Sequence, residues 1–332
     1  MAKSDFNWQG KRVLVTGAGG FIGSHLTEKL VELGAQTRAF VRYTSRGTWG
    51  WLDRSPYKAD IEVIAGDITD RDRVHQAVKS VDIVFHLAAL IGIPYSYHAP
   101  RSYVRTNIEG TLNILQAALE TGVERVIHTS TSEVYGSAQY VPIDERHPLL
   151  GQSPYSATKI GADKLAESFH LSFRLPVVTV RPFNTYGPRQ SARAVIPTII
   201  TQCMTRSTIT LGNLTPTRDF NYVVDTAYGF ICAAQSEKGI GHTINLGTGK
   251  EISIGDLVQR IARLMNHEVA IQSEAERVRP TGSEVNRLCA ANQLAKVLLD
   301  WEPQHTLDEG LQLTIDWIGE NFEYYRPNTY AI

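Results

Sequence analysis

Residues 11–35, KRVLVTGAGGFIGSHLTEKLVELGA, decide the fold. A short β-branched run, Val13 to Thr16, ends in glycines, and a helical pattern follows with Ile22, Leu26, Leu30 and Leu33 on one face. The pattern stops at Gly34, a residue suited to a helix C-terminus. Gly17, Gly20 and Gly23 lie between the strand and the helix in the spacing G-x-x-G-x-x-G. Glycine is required there if the backbone turns sharply and a pyrophosphate approaches its amides, with the helix N-terminus facing the anion. This strand–turn–helix context predicts a dinucleotide cradle.

Working outward, strands and helices alternate. TRAFV (37–41) and IEVIAGD (61–67) read as strands, DRDRVHQAVKS (70–80) as a polar helix and DIVFHLAA (82–89) as a strand. A helix is expected over roughly 101–121 with Leu112, Leu115 and Leu119 inward. The strand opening VIHTSTSEVYG (126–136), a helix from about 154 and the strand PVVTVRPFN (176–184) follow. Apolar strands separated by helices indicate a parallel sheet covered on both faces, so the expected class is α/β, a Rossmann-like doubly wound sheet. After residue 184 the pattern breaks into Pro- and Gly-punctuated pieces, and HTINLGTG (242–249) reads as one more strand returning to the first sheet. The expected organisation is a dinucleotide-binding domain, 1–183 with 225–250, and a smaller mixed α/β substrate lobe, 184–224 with 251–332.

Composition limits the function. The 332 residues are 42% hydrophobic and 20% charged with a formal net charge of −1, and they carry no basic stripe for nucleic acid or for an anionic membrane. Cys203, Cys232 and Cys289 are far apart and lack metal-ligand spacing, so no metal is expected. The first residues, MAKSDFNWQGK, lack a signal-peptide core, and VDIVFHLAALIGI (81–93) is too short to span a bilayer. The expectation is a cytoplasmic protein.

Three places carry chemistry. Tyr155 and Lys159 in PYSATK are i and i+4, neighbours on one helix face, where an ammonium lowers a phenol towards the range of a general base. Ser130 and Thr131 can hydrogen-bond a reacting hydroxyl or cap the strand end. Glu133 stands at the mouth of an otherwise buried strand, where a carboxylate leaving water costs several kcal/mol unless it is compensated or used. Beyond the second strand, where an acid for the adenosine ribose is usual, FVRYTSR offers Arg42 and Arg46, which suit a 2′-phosphate or are solvated loop charges. Asp67 is an acceptor for the adenine amino group. His86 is read as structural. The WGW at 49–51 either walls the site or packs a loop.

TGAGGFIG, HLAA, TSTSEVYG, YSATK, RPFNTYGPRQ and RDFNYVVD together resemble an extended short-chain dehydrogenase/reductase of the nucleotide-sugar epimerase/dehydratase family. Within it, the chain looks most like bacterial UDP-N-acetylglucosamine 4,6-dehydratases of legionaminic and pseudaminic acid pathways. The resemblance implies a catalytic set of Thr131, Ser132, Glu133, Tyr155 and Lys159. It implies cofactor contacts from Gly17, Gly20, Phe21, Ile22, Gly23, Arg42, Asp67, Ile68, Leu87, Ala88, Ala89, Asn107, Tyr155 and Lys159. Asn184, Arg193, Val195, Arg218 and Arg279 are implied in binding a UDP-sugar. The implied cofactor is tightly bound NAD, although Arg42 argues for NADP, and family members commonly form homodimers.

The implied reaction is oxidation at C4, removal of the C5 proton by Glu133, loss of water from C6 and return of hydride to C6. Ser132 stands where dTDP-glucose dehydratases carry an aspartate acid, as in GDP-mannose dehydratases. The T-S-E triplet also occurs in UDP-glucuronate decarboxylases. The competing expectations are therefore such a decarboxylase, an epimerase at C4 or at C5 of a 4-keto sugar, and a non-catalytic nucleotide-binding protein.

Overall fold

The computed structural model describes residues 6–274 and 280–325. Its first half alternates as expected: β1 (Arg12–Thr16), α1 (Phe21–Glu32), β2 (Gln36–Arg42), β3 (Ile61–Gly66), α2 (Arg71–Val78), β4 (Ile83–His86), α3 (Ile93–His98), α4 (Pro100–Tyr103), α5 (Gly110–Thr121), β5 (Arg125–Thr129), α6 (Pro154–Phe173) and β6 (Val177–Pro182). Then come β7 (Asn184–Tyr186), α7 (Val195–Cys203), β8 (Thr208–Leu211), β9 (Thr217–Arg218), β10 (Phe220–Tyr222), α8 (Val223–Gln235), β11 (Thr243–Leu246), β12 (Ile252–Ser253), α9 (Ile254–Leu264), β13 (Ala270–Ser273), α10 (Gln293–Leu299) and α11 (Leu307–Glu320).

Seven parallel strands form one sheet in the order β11-β6-β5-β4-β1-β2-β3. Strand order reverses between β1 and β4, so the ligand crevice of such a sheet opens beyond their carboxyl ends. β1, β4, β5, β6 and β11 are buried nearly throughout, whereas the edge strand β3 is mostly half-buried. Val13, Val15 and Phe85 pack with α1 and α8 residues such as Leu26, Leu30 and Phe230, whereas Leu14 and Val84 pack with Ile114, Leu115 and Ala166 from α5 and α6. β11 pairs with β6 from Thr243↔Thr179 to Leu246↔Pro182, so the segment after residue 242 rejoins the sheet. A separate cluster gathers Ile196, Ile199, Leu257, Ile261, Leu311 and Ile318 from α7, α9 and α11.

Two local features depart from the expectations. The helix expected over 101–121 is interrupted by a π-helical turn, Val104–Glu109, between α4 and α5. The inward face of α5 is Thr111, Ile114, Leu115 and Ala118, and Leu119 is 36% exposed rather than inward. Leu112, Leu115 and Leu119 all follow that turn within α5, and the position of the buried stripe leaves Leu119, about 100° on from Ala118, at its edge. At α1 the prediction holds: Leu26 and Leu30 are fully buried, and Gly34 takes φ +88° just past the end.

Candidate active site

The glycine loop sits at the switch point. Gly17 has φ +69°, and a Cβ added there would lie 2.9 Å from the Ala88 amide nitrogen, against the chain leaving β4. A Cβ on Gly23 would lie 2.2 Å from the Gly17 carbonyl, so α1 can close onto the loop only with glycine there. No side chain caps the N-terminus of α1, which leaves the amides of Phe21 and Ile22 to an outside acceptor. The Thr16 hydroxyl accepts from the amides of Leu87 and Ala88, both at 3.1 Å, and fixes the opposite wall. A cradle of free amides that excludes side chains fits a dinucleotide pyrophosphate.

Around the cradle, Ile68 is buried with its side chain under Gly110. Asp67 is exposed; its Oδ1 accepts from the Thr69 amide (2.9 Å) and hydroxyl (2.8 Å). Arg42 and Arg46 are exposed and in no ion pair among the described residues. Asn107 is buried and fully engaged: it accepts from Leu90 N (2.8 Å) and donates to Leu90 O (3.0 Å) and Thr158 Oγ1 (3.1 Å). Its observed task is to tie the loop containing Ala89 to α6.

α6 starts under a capping box, with Ser153 and Ser156 bonding each other's backbone and Pro154 in its first turn. This fixes Tyr155 and Lys159 over the end of β5. Tyr155 is buried, packs edge-on to Tyr103 at 6.3 Å between ring centroids, and lies close enough to the Thr131 hydroxyl for that group to favour its ionised form. Thr131 also accepts from the Glu133 amide and so caps the single 3-10 turn Ser132–Tyr135. Ser132 is buried. The Glu133 carboxylate is half-buried, makes no hydrogen bond or ion pair among the described residues, and lies near enough for its charge to act on the Tyr155 phenol.

The electrostatics correct one expectation. Burial raises the Tyr155 phenol above its ordinary range; Glu133 and Asp163 push the same way, and the Thr131 hydroxyl opposes them. Lys159 is not among the largest influences on the phenol, and its ammonium donates to the Thr129 carbonyl at 2.6 Å. Burial lowers Lys159 itself to about 8, with Asp163 pulling it back up.

Asp163 is a site residue the sequence reading missed. It continues the Tyr155–Lys159 face by one turn, a spacing that was legible in YSATKIGAD. Its carboxylate accepts from Ser130 (2.5 Å) and Arg181 (2.9 Å) and meets His128 Nε2 at 3.0 Å. Against the cost of its burial, His128, Arg181 and Lys159 hold it below the usual carboxylate range. Arg181 also donates to the Tyr135 hydroxyl (3.0 Å), which donates to Asn245 (2.8 Å). His86 is held between the hydroxyls of Thr16 (2.9 Å) and Thr111 (3.0 Å), and burial keeps its ring well below the usual histidine range, as befits a structural residue.

Asn184 Oδ1 is a buried acceptor without a partner among the described residues. Val195 opens α7, whose N-terminus has no side-chain cap. An Arg193 guanidinium nitrogen and the Tyr103 hydroxyl each lie 3.5 Å from where a Cβ on Gly92 would stand, and Tyr103 in turn packs on Tyr155. Arg218 is buried and pairs with Glu284 at 3.5 Å. Arg279 lies outside the described residues. No group of three or more metal-ligating side chains occurs among the described residues, and no helix there is long and apolar enough to cross a membrane.

Residues 14–314 match the family GDP-mannose 4,6 dehydratase. The chain is 35% identical over 326 residues to a UDP-N-acetyl-alpha-D-glucosaminuronate decarboxylase of Bacillus cytotoxicus, covering 93% of this chain and 98% of that one. It is 32% identical over 324 residues to a trifunctional UDP-glucose 4,6-dehydratase/UDP-4-keto-6-deoxy-D-glucose 3,5-epimerase/UDP-4-keto-L-rhamnose-reductase of Arabidopsis thaliana, matching 95% of this chain but spanning about half (48%) of that longer protein. Among solved structures, the dTDP-glucose 4,6-dehydratase DesIV of Streptomyces venezuelae with NAD and TYD bound superposes with a TM-score of 0.85 at 28% identity, over 95% of this chain and 99% of that one. Epimerases are also among its relatives.

Proposed function

The chain belongs to the GDP-mannose 4,6-dehydratase family, whose relatives here include nucleotide-sugar dehydratases, epimerases and decarboxylases, and from that premise we propose that it is an NAD-dependent 4,6-dehydratase of UDP-N-acetylglucosamine. The observation that carries the reading is Glu133: a carboxylate at a strand end, with no partner among the described residues and its charge acting on Tyr155. Simple C4 epimerisation needs no base at C5 and leaves such a carboxylate unexplained.

In this mechanism Tyr155 takes the proton of the sugar 4-hydroxyl, with Thr131 holding that hydroxyl and Lys159 supplying positive charge. The dinucleotide, when bound through Gly17, Gly20, Phe21, Ile22 and Gly23, supplies a hydride acceptor for C4, a hydride donor for C6 and, when oxidised, positive charge beside the phenol. The resulting 4-keto group acidifies C5, and Glu133 removes that proton while the C6 hydroxyl leaves as water. Ser132 is a poor acid, so Glu133 delivers its proton to the leaving hydroxyl. Asn184, Arg193, Val195, Arg218 and Arg279 serve the nucleotide diphosphate end, where arginine forks suit phosphate.

The proposal includes a cytoplasmic homodimer and the division into a dinucleotide-binding domain (1–183 with 225–250) and a sugar-binding lobe (184–224 with 251–332). The second reading is a UDP-glucuronate-type decarboxylase, favoured by the Bacillus cytotoxicus relative and the shared T-S-E triplet. Incubation with UDP-N-acetylglucosamine and with UDP-glucuronate, read by mass spectrometry, separates the readings. Loss of one water from the first supports dehydration; loss of carbon dioxide from the second, with the first unchanged, refutes it. Denaturing the protein and weighing the released dinucleotide tests NAD against NADP.

A further inference from the structure

The tryptophans of WGW, 49–51, pack: Trp49 lies against the core on the α1 side of the sheet and Trp51 against Trp317 and Tyr324. The segment lies against the glycine loop by its backbone: the Trp51 amide donates to the Gly19 carbonyl at 3.0 Å. The approach tolerates no side chain on either strand of the contact. A Cβ on Gly19 would lie 2.2 Å from the Trp49 carbonyl, and one on Gly50, which has φ +68°, would lie 2.3 Å from the Gly19 carbonyl. Gly19 is therefore held by residues 49–51 as firmly as Gly17 is held by Ala88.

The segment is itself anchored at a distance. The Trp51 ring packs edge-on to Trp317 and to Tyr324, each at 5.4 Å between centroids, and the Arg54 guanidinium lies 4.4 Å over Tyr324. Trp317 is in α11, and its cluster is the one against which Phe21 and Ile22, the first residues of α1, also pack. Asp53 accepts from the Thr48 hydroxyl and the Trp49 amide and so shapes the turn. The two flanks of the phosphate cradle, Gly19 and Phe21–Ile22, thus share one support outside the seven-stranded sheet.

We propose that Trp51, Trp317 and Tyr324 form an aromatic latch that braces the glycine loop and retains the dinucleotide between turnovers. The inference rests on the cofactor reading above and deepens it. A reaction that returns its hydride to the sugar regenerates its own cofactor, so the chain gains nothing from releasing it. Amides held in the anion-binding arrangement before the ligand arrives also lose less entropy on binding. Trp51 is here a positioning residue: it touches the loop that would touch the cofactor.

The test compares wild-type protein with Trp51→Leu, Trp51→Phe, Tyr324→Ala and Gly50→Ala, each purified as the full chain. The readouts are the fraction of molecules carrying dinucleotide, weighed after denaturation, and the rate of its loss on dilution into an enzyme that consumes free NAD. Trp51→Leu and Gly50→Ala are expected to lose the dinucleotide at least about tenfold faster, as two lost aromatic contacts or a displaced loop imply. Tyr324→Ala, at the exposed end of the latch, is expected to give a smaller acceleration, and Trp51→Phe to stay near wild type.

Added NAD should raise the Tm of stripped Trp51→Leu less than that of stripped wild type at each concentration, as a binding defect requires and a packing defect that leaves affinity intact does not. Wild-type retention and release rate in Trp51→Leu, or in Tyr324→Ala if that variant alone folds, overturns the latch while leaving the dehydratase reading intact. Wild-type protein that carries and binds no dinucleotide overturns both. Efficient retention in a protein that epimerises or decarboxylates its sugar supports the latch and removes only the dehydratase reading.

Discussion

Two carboxylates stand near the end of β5, and their surroundings are opposite. Asp163, on α6, is buried, accepts from Ser130 and Arg181 and is paired with His128. Glu133, just past the strand, is half-buried, with no partner among the described residues. Burying an ion costs several kcal/mol, which good geometry repays. Asp163 is compensated by its network and is read as support; Glu133 has no such partner among the described residues, and the proposed dehydration assigns it the C5 proton.

The comparison is broken most directly at Glu133. Glu133→Gln is expected to lower formation of dehydrated product by about 10²–10⁴-fold, the range for a lost general base. The variant should still reduce its cofactor when given substrate, seen as absorbance at 340 nm, and its Tm should not fall. Full product formation would remove Glu133 from the mechanism.

Asp163→Asn should do the reverse. It leaves Arg181 and His128 facing a neutral amide, and chemical denaturation is expected to reveal a loss of about 3–5 kcal/mol. The pH dependence has the matching sign. A carboxylate held below its ordinary range in the folded state contributes stability that is complete above that range and drains as pH falls through and below it. Wild-type stability should therefore drop below about pH 4 more steeply than that of Asp163→Asn. Equal acid sensitivity of the two proteins would contradict the network.

A smaller effect is expected from Lys159. Its folded value is about 8, lowered by burial, and the proposed chemistry uses its cation. The value of kcat/KM should accordingly fall as pH rises past about 8, about tenfold per unit at the limit. A profile flat to pH 10 would separate Lys159 from catalysis. The smallest effect belongs to Tyr103→Phe, which removes the hydroxyl that donates to the Gly92 carbonyl beside Tyr155. Its loss should cost about 0.5–1.5 kcal/mol in stability, read by denaturant titration.

Much of this architecture was legible in the chain. Apolar runs bounded by glycine give strands buried on both faces, so β1 to β6 and the returning β11 were visible as local patterns. The glycine spacing and the Tyr155–Lys159 interval are likewise local, because a helix repeats every 3.6 residues and a turn needs particular residues at particular places. Periodicity failed at α5, where Leu112, Leu115 and Leu119 share a face along the chain but packing buried Thr111, Ile114, Leu115 and Ala118 and left Leu119 at the edge. The matrix of contacts was also hidden. Nothing in PYSATK says that Lys159 will donate to the Thr129 carbonyl, or that Tyr155 will be buried deeply enough for its phenol to be raised.

The sequence by itself determined the alternating strand and helix order, the phosphate-binding turn and the identity of the acid and phenol near one strand end, since each depends on neighbours a few positions away. Tertiary structure alone decided which carboxylate is neutralised and which is left bare, and which aromatic rings brace the glycine loop. Trp51 meets Trp317, and Asp163 meets Arg181, only because the chain is folded back on itself. Charge and packing energies are set by distances through space and by exclusion of water, which spacing along a chain does not encode.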